Sequence, residues 1–151
     1  MAKEELTEET VMAEKKTIVD IADFFTKENS EKGVWFEPNV GGGRLGLEFL
    51  VIGSESNEAA EILAQYDKDI GKVEEIKEAD KRNEETRKAL AQAVSKLVKG
   101  IRGADGIEPV INGKPLTYSP AVVYTIMYNS FPIANEILRF SRKASGFMAK
   151  K

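Results

Sequence analysis

Asn112-Gly113 leaves the middle of the last third of this chain few conformational choices. An Asn-Gly pair accepts the positive φ values of a type I′ turn, so residues 108–111 and 114–116 are expected to pair as a tight two-residue hairpin. Ser119-Pro120 comes next, a serine able to cap a helix followed by proline at the first helical position. Val122, Val123, Ile126 and Met127 then make the buried stripe of a short helix. Ser130-Phe131-Pro132 restarts a second helix bearing Ile133, Ile137, Leu138 and Phe140, with a basic C-terminal half that suits the helix dipole.

Upstream, the periodicity changes several times. Residues 3 to 29 read as a helix with a ragged start, in which Thr17, Ile18, Ile21, Ala22, Phe24 and Phe25 form one buried stripe. Residues 29–33 supply stop signals. Residues 34–36 and 45–52 read as strands around a glycine-rich loop of hairpin length. Ser56 or Asn57 caps a helix with Glu58 and Glu61 in its first turn, and its stripe runs through Ala59, Ile62, Leu63, Tyr66, Ile70, Val73 and Ile76. The stripe vanishes over residues 77–88 and returns at Leu90, Ala93, Val94, Leu97, Val98 and Ile101. Either one long helix crosses this charged stretch, or two helices meet near Asn83; the lack of Gly and Pro there favours continuity. The expected fold is α+β and mainly helical, with small antiparallel hairpins packed by four or five helices. Residues 1–16 are expected to be a flexible acidic N-terminus, 17–148 a single globular domain, and 149–151 a basic C-terminal end.

Composition narrows the chemistry. The 151 residues include no cysteine and no histidine, so disulfides, thiolate chemistry, imidazole proton transfer and Ser-His or Cys-His nucleophiles are excluded. A net charge of −3 is mild and has the wrong sign for a nucleic-acid partner. No stretch has the length and apolarity of a membrane span, and the N-terminus lacks the basic and apolar regions of a signal peptide, so a cytoplasmic location is expected. Residues 1–31 carry nine acidic side chains against four lysines, whereas Arg139, Arg142, Lys143, Lys150 and Lys151 follow Glu136 without an acidic neighbour. Such ends either stay solvated or attract each other, which allows head-to-tail homo-oligomers.

The motifs that suggest chemistry fail on their context. Gly41-Gly42-Gly43-Arg44-Leu45-Gly46 satisfies G-x-G-x-x-G, yet a strand rather than a helix is expected after it, so it reads as a hairpin loop. Gly113-Lys114 lacks the first glycine of a phosphate loop, and Pro115 stands where Ser or Thr would hold magnesium. The carboxylates of residues 67–88 alternate with lysine and arginine and read as a solvated helix face. No catalytic residue, metal site or cofactor is expected. Phe147 lies beyond the apolar periodicity in a basic tail, where a lone aromatic either anchors a partner or folds back on its own domain.

The order of these features resembles the tail assembly chaperone family of long-tailed, siphovirus-type bacteriophages. The residues concerned are Ile21-Ala22-Asp23-Phe24-Phe25, Gly33-Val34-Trp35, Val51-Ile52-Gly53-Ser54, Val98-Lys99-Gly100-Ile101, residues 113–119, Ser130-Phe131-Pro132 and the basic end with Phe147. The resemblance implies a non-enzymatic protein of the host cytoplasm that keeps the tape-measure protein soluble and helps load tail-tube subunits. It also implies partner-facing positions at Tyr118, Tyr124, Tyr128, Phe131, Arg139, Arg142 and Phe147. The alternatives are a minor virion protein, such as a head–tail connector or tail component, and a small regulatory binding protein.

Overall fold

A computed structural model describes residues 18–148. Its order is a 3-10 turn (Ile21–Phe24), α1 (Lys27–Lys32), β1 (Val34–Phe36), β2 (Asn39–Val40), β3 (Gly43–Arg44), β4 (Leu47–Val51), α2 (Asn57–Val73), α3 (Ala79–Leu97), β5 (Val98–Gly103), β6 (Val110–Ile111), β7 (Lys114–Pro115), α4 (Pro120–Asn129), α5 (Phe131–Arg142) and a closing 3-10 turn (Ala144–Phe147). Among the described residues this is an α+β, mainly helical fold with five α-helices and small antiparallel sheets. The expected flexible N-terminus (1–16) and basic end (149–151) lie outside the described residues.

The core forms where one sheet meets four helices. Strands β1, β4 and β5 make an antiparallel sheet with β4 central. Phe49 and Val51 point from β4 into a cluster with Leu63 of α2, Leu90, Val94 and Leu97 of α3, Val123 and Met127 of α4, and Ile137 of α5. Helix α3 sits in the middle and packs against α2, α4 and α5. Its buried Ala89, Ala91 and Ala93 remove the bulk that would hold those helices apart.

The local signals of the last third appear as read. Asn112 and Gly113 take φ values of 53° and 81°, and Ile111 faces Lys114 across the turn. Ser119 Oγ accepts the Val122 N–H at 3.1 Å, and Ser130 Oγ accepts that of Ile133 at 3.4 Å, so each serine satisfies an N–H left free at a helix start. The glycine-rich loop is the β2–β3 hairpin, and it leads into strand β4 rather than a helix.

Three expectations need correction. The N-terminal helix reduces, among the described residues, to one 3-10 turn and the six-residue α1; residues 3–17 lie outside them. Ile18, Ile21, Phe24 and Phe25 are exposed rather than buried in one stripe, so among the described residues they gain little from tertiary packing, the usual support of a helix this short. Secondly, α2 and α3 are separate helices packed on each other, and the break falls at residues 74–78 rather than near Asn83. The turn needs no Gly or Pro because Arg82 Nη1 donates to the Ile76 carbonyl at 2.8 Å, satisfying an acceptor that helix termination frees. Thirdly, Val98 and Ile101 do not extend the α3 stripe. The helix stops at Leu97, and the chain turns straight into β5, pairing Ile101 with Phe49 and Gly100 with Leu50. Arg102 covers the far side, its guanidinium 4.1 Å over the Trp35 ring and 2.6 Å from Glu48.

The hairpin loop is held by Glu37. Its carboxylate accepts the Gly46 backbone N–H at 2.7 Å and the Arg44 Nε–H at 3.1 Å, while Arg44 also reaches Asp105 at 2.6 Å. The Gly46 N–H, and then Arg44, hold the Glu37 carboxyl below its ordinary range. A group whose folded pKa is lowered stabilises the fold above its unfolded pKa and loses that contribution as pH falls through the folded value. Glu37→Gln should therefore be less stable than the parent at neutral pH. The two denaturation midpoints should converge as pH falls below about 4, the ordinary glutamate range. A gap that stays constant down to acid pH would rule this out.

Candidate interaction surface

The seven residues implied by the resemblance do not form one patch. Tyr118 leaves its ring half-buried against the core while its hydroxyl donates to the Val98 carbonyl at 3.2 Å, tying the segment before α4 to the first residue of β5. Tyr124 and Tyr128, one turn apart on α4, stack with centroids 6.1 Å apart. The Tyr128 hydroxyl donates to Glu84 of α3 at 2.5 Å, which raises its pKa because the bond favours the protonated phenol. Arg87 completes the corner: Nη1 donates to the Tyr128 carbonyl at 2.8 Å, and the guanidinium lies 5.7 Å from that ring. Tyr128 thus fastens α4 to α3 with Tyr124 stacked on it, and both rings stay partly in water.

Arg139 and Arg142 also have partners. Arg139 pairs with Glu136 on its own helix at 3.0 Å, and Arg142 reaches Asp67 of α2 at 3.1 Å. Both are exposed pairs of the kind worth about 0–1 kcal/mol. Phe131 is the one of the seven that presents a large apolar face to water. It is 47% exposed at the first position of α5, beside a cavity of about 320 Å³ that Asn83, Thr86 and Arg87 also line.

Phe147 is not available as an exposed anchor. It is 1% exposed, its ring centroid lies 5.0 Å from that of Phe140, and Phe140 stacks in turn on Phe36 at 4.2 Å. Asn29 Nδ2 donates to the Phe147 carbonyl at 2.8 Å, so α1 holds the last turn against the domain. Of the two readings open in the sequence, folding back is the one realised. The reason lies in the residues it meets, which sit more than a hundred positions upstream or on the neighbouring helix.

The larger apolar surface lies elsewhere. Ile18, Val19, Ile21, Phe24 and Phe25 are each more than half exposed, and the turn they flank contributes no buried residue. Phe24 and Phe25 line a groove of about 560 Å³ together with Glu28, Glu31 and Glu55. The sequence offered a signal for this. At about 3.6 residues per turn, Val19 and Phe24 project on different sides of a helix, too widely spread for one face to cover. Among the described residues, no helix is long and apolar enough to cross a membrane, and no group of three or more acidic, His or Cys side chains is placed to hold a metal ion. No family model matches the chain, and no curated protein or solved structure matches it.

Proposed function

We propose that this chain is a non-enzymatic tail assembly chaperone of a long-tailed bacteriophage, binding apolar helical segments of the tape-measure protein until tail-tube subunits replace it. The observation that supports this reading is the run of large apolar side chains left in water over residues 18–25. A contiguous exposed apolar strip on a small protein marks a surface for another macromolecule. Side chains of this size each gain about 1.5–3 kcal/mol when fully buried, so five of them give a partner ample reason to bind. The core is complete without them, which leaves the strip free for such a role.

Co-expression tests the proposal. The chain should give a several-fold rise in the soluble yield of a long helical tape-measure protein encoded beside it, and should be absent from purified particles. An unchanged yield would overturn the chaperone reading. Recovery of the chain in stoichiometric amounts from particles would instead favour a minor structural role.

A further inference from the structure

The exposed strip is apolar and acidic together. Asp20 and Asp23 interrupt Ile18, Val19, Ile21, Phe24 and Phe25, and the groove beside Phe24 and Phe25 is lined by Glu28, Glu31 and Glu55. The two lysines of this face are already engaged, Lys27 with Glu31 and Lys32 with Glu28. Thr26, one of the few buried polar residues, donates its hydroxyl to Glu55 and so fixes that carboxylate at the groove. Among the described residues, the carboxylates of Asp20, Glu28, Glu31 and Glu55 thus outnumber the two ammonium groups beside this apolar centre.

This charge selects among occupants. A second copy docked face to face would set carboxylates against carboxylates, and like charges across an interface oppose binding. A second copy docked head to tail would bring Arg139 and Arg142, but these are paired with Glu136 and Asp67, and Phe147, the aromatic of that end, is buried and not free to fill the groove. An anionic lipid surface would be repelled. A helix with an apolar face and lysine or arginine beside it satisfies both the groove and its charge.

We propose that residues 18–31 with Glu55 form the docking surface for an amphipathic, Lys/Arg-flanked helical segment of a partner protein. This rests on the reading that the chain binds a helical partner, and it adds where the partner binds and which charge it carries. Phe24 and Phe25 act as the anchors, since aromatic side chains at the centre of a desolvated patch carry most of the energy of an interface. The carboxylates orient the partner and speed its approach, an effect that weakens with salt.

Two synthetic helical peptides with the same leucine face test this, one with lysine and one with glutamate on the polar face, each titrated calorimetrically into the full chain. The lysine peptide should bind, and the glutamate peptide should bind about tenfold more weakly or worse. Phe24→Ser with Phe25→Ser should weaken the lysine peptide by about tenfold or more while leaving the thermal midpoint in place, because both rings are exposed. Phe131→Ser should leave binding unchanged. Should the double variant unfold, Glu28→Gln with Glu31→Gln serves instead and should narrow the gap between the two peptides. Equal binding of both peptides, parental affinity in the double variant, or an equal loss in Phe131→Ser would overturn the proposal. Co-expression separates the two readings. Full solubilisation by the Phe24, Phe25 double variant would remove this surface and keep the chaperone function; peptide binding without any solubilisation by the parent would do the reverse.

Discussion

Phe147→Ala should cost the domain about 3–5 kcal/mol, the range for deleting a fully buried phenylalanine side chain and leaving a cavity. The ring is 1% exposed and closes a row that runs from Phe36 through Phe140. Truncation removes one wall of that row and leaves Phe140 facing a void. The neighbours cannot collapse freely into it, since Ser141 on the same helix is held by its hydroxyl bond to the Ile52 carbonyl at 2.8 Å. Domains of this kind are stable by about 5–15 kcal/mol, so the loss is a large share. With each kcal/mol worth about 2–4 °C in a chain of this length, the thermal midpoint should fall by about 10 °C. Trp35, the single tryptophan, reports the transition by fluorescence. Phe147→Leu keeps most of the volume and should cost less than about 1.5 kcal/mol. A midpoint unchanged in Phe147→Ala would return this residue to the role of a free anchor.

Gly103→Ala should destabilise by about 3 kcal/mol or more, beyond the usual cost of overpacking, because the clash is with backbone. Gly103 has an ordinary φ of −75°, so its conformation does not call for glycine. Space does. A Cβ there would lie 1.6 Å from the Ile107 carbonyl oxygen and 2.7 Å from its carbon. The chain doubles back at this point through Asp105 and Gly106, both at positive φ, and the Ile107 N–H donates to the Ala104 carbonyl at 2.9 Å. Ala104 is tied in turn to the Gly46 carbonyl at 3.0 Å, so the turn and the end of β4–β5 pairing move together or not at all. Gly71→Ala is the control. It lies exposed inside α2 with nothing within 4 Å of the new methyl, and should gain about 0.5–1 kcal/mol from helix propensity. Urea denaturation of the two variants should therefore shift in opposite directions, and equal shifts would sink the steric account.

The features legible in the sequence were those whose physical cause lies within a few residues. Asn112-Gly113 needs only its own φ preferences to turn the chain, and Ser119 and Ser130 cap helices three residues away. The stripes of α2 and α5 likewise follow from spacing alone. Val98–Gly103 was misread because its apolar positions continue the helical spacing of α3, while the strand exists only through pairing with β4, some fifty residues earlier. The break between α2 and α3 carries no breaker residue, and Arg82 closes it with a bond that spacing does not reveal.

The candidate surface divides in the same way. Tyr118, Tyr124 and Tyr128 are amphipathic rings on an apolar helix, and nothing local says whether their hydroxyls meet solvent or, as here, Val98 and Glu84. Residues 18–25 looked like a buried stripe and stayed in water, and Phe147 looked like a free tail aromatic and went into the core. Composition and short-range pattern were enough for the fold class, the hairpin turn and the helix starts, since these depend on backbone preferences and neighbouring side chains. Burial depends on which distant surfaces meet, and a one-dimensional pattern records apolarity without recording its partner. Among the described residues, folding brought Asn29 and Phe140 to Phe147 and left Phe24 and Phe25 more than half exposed, and that difference places the proposed docking surface at residues 18–31 rather than at Phe147.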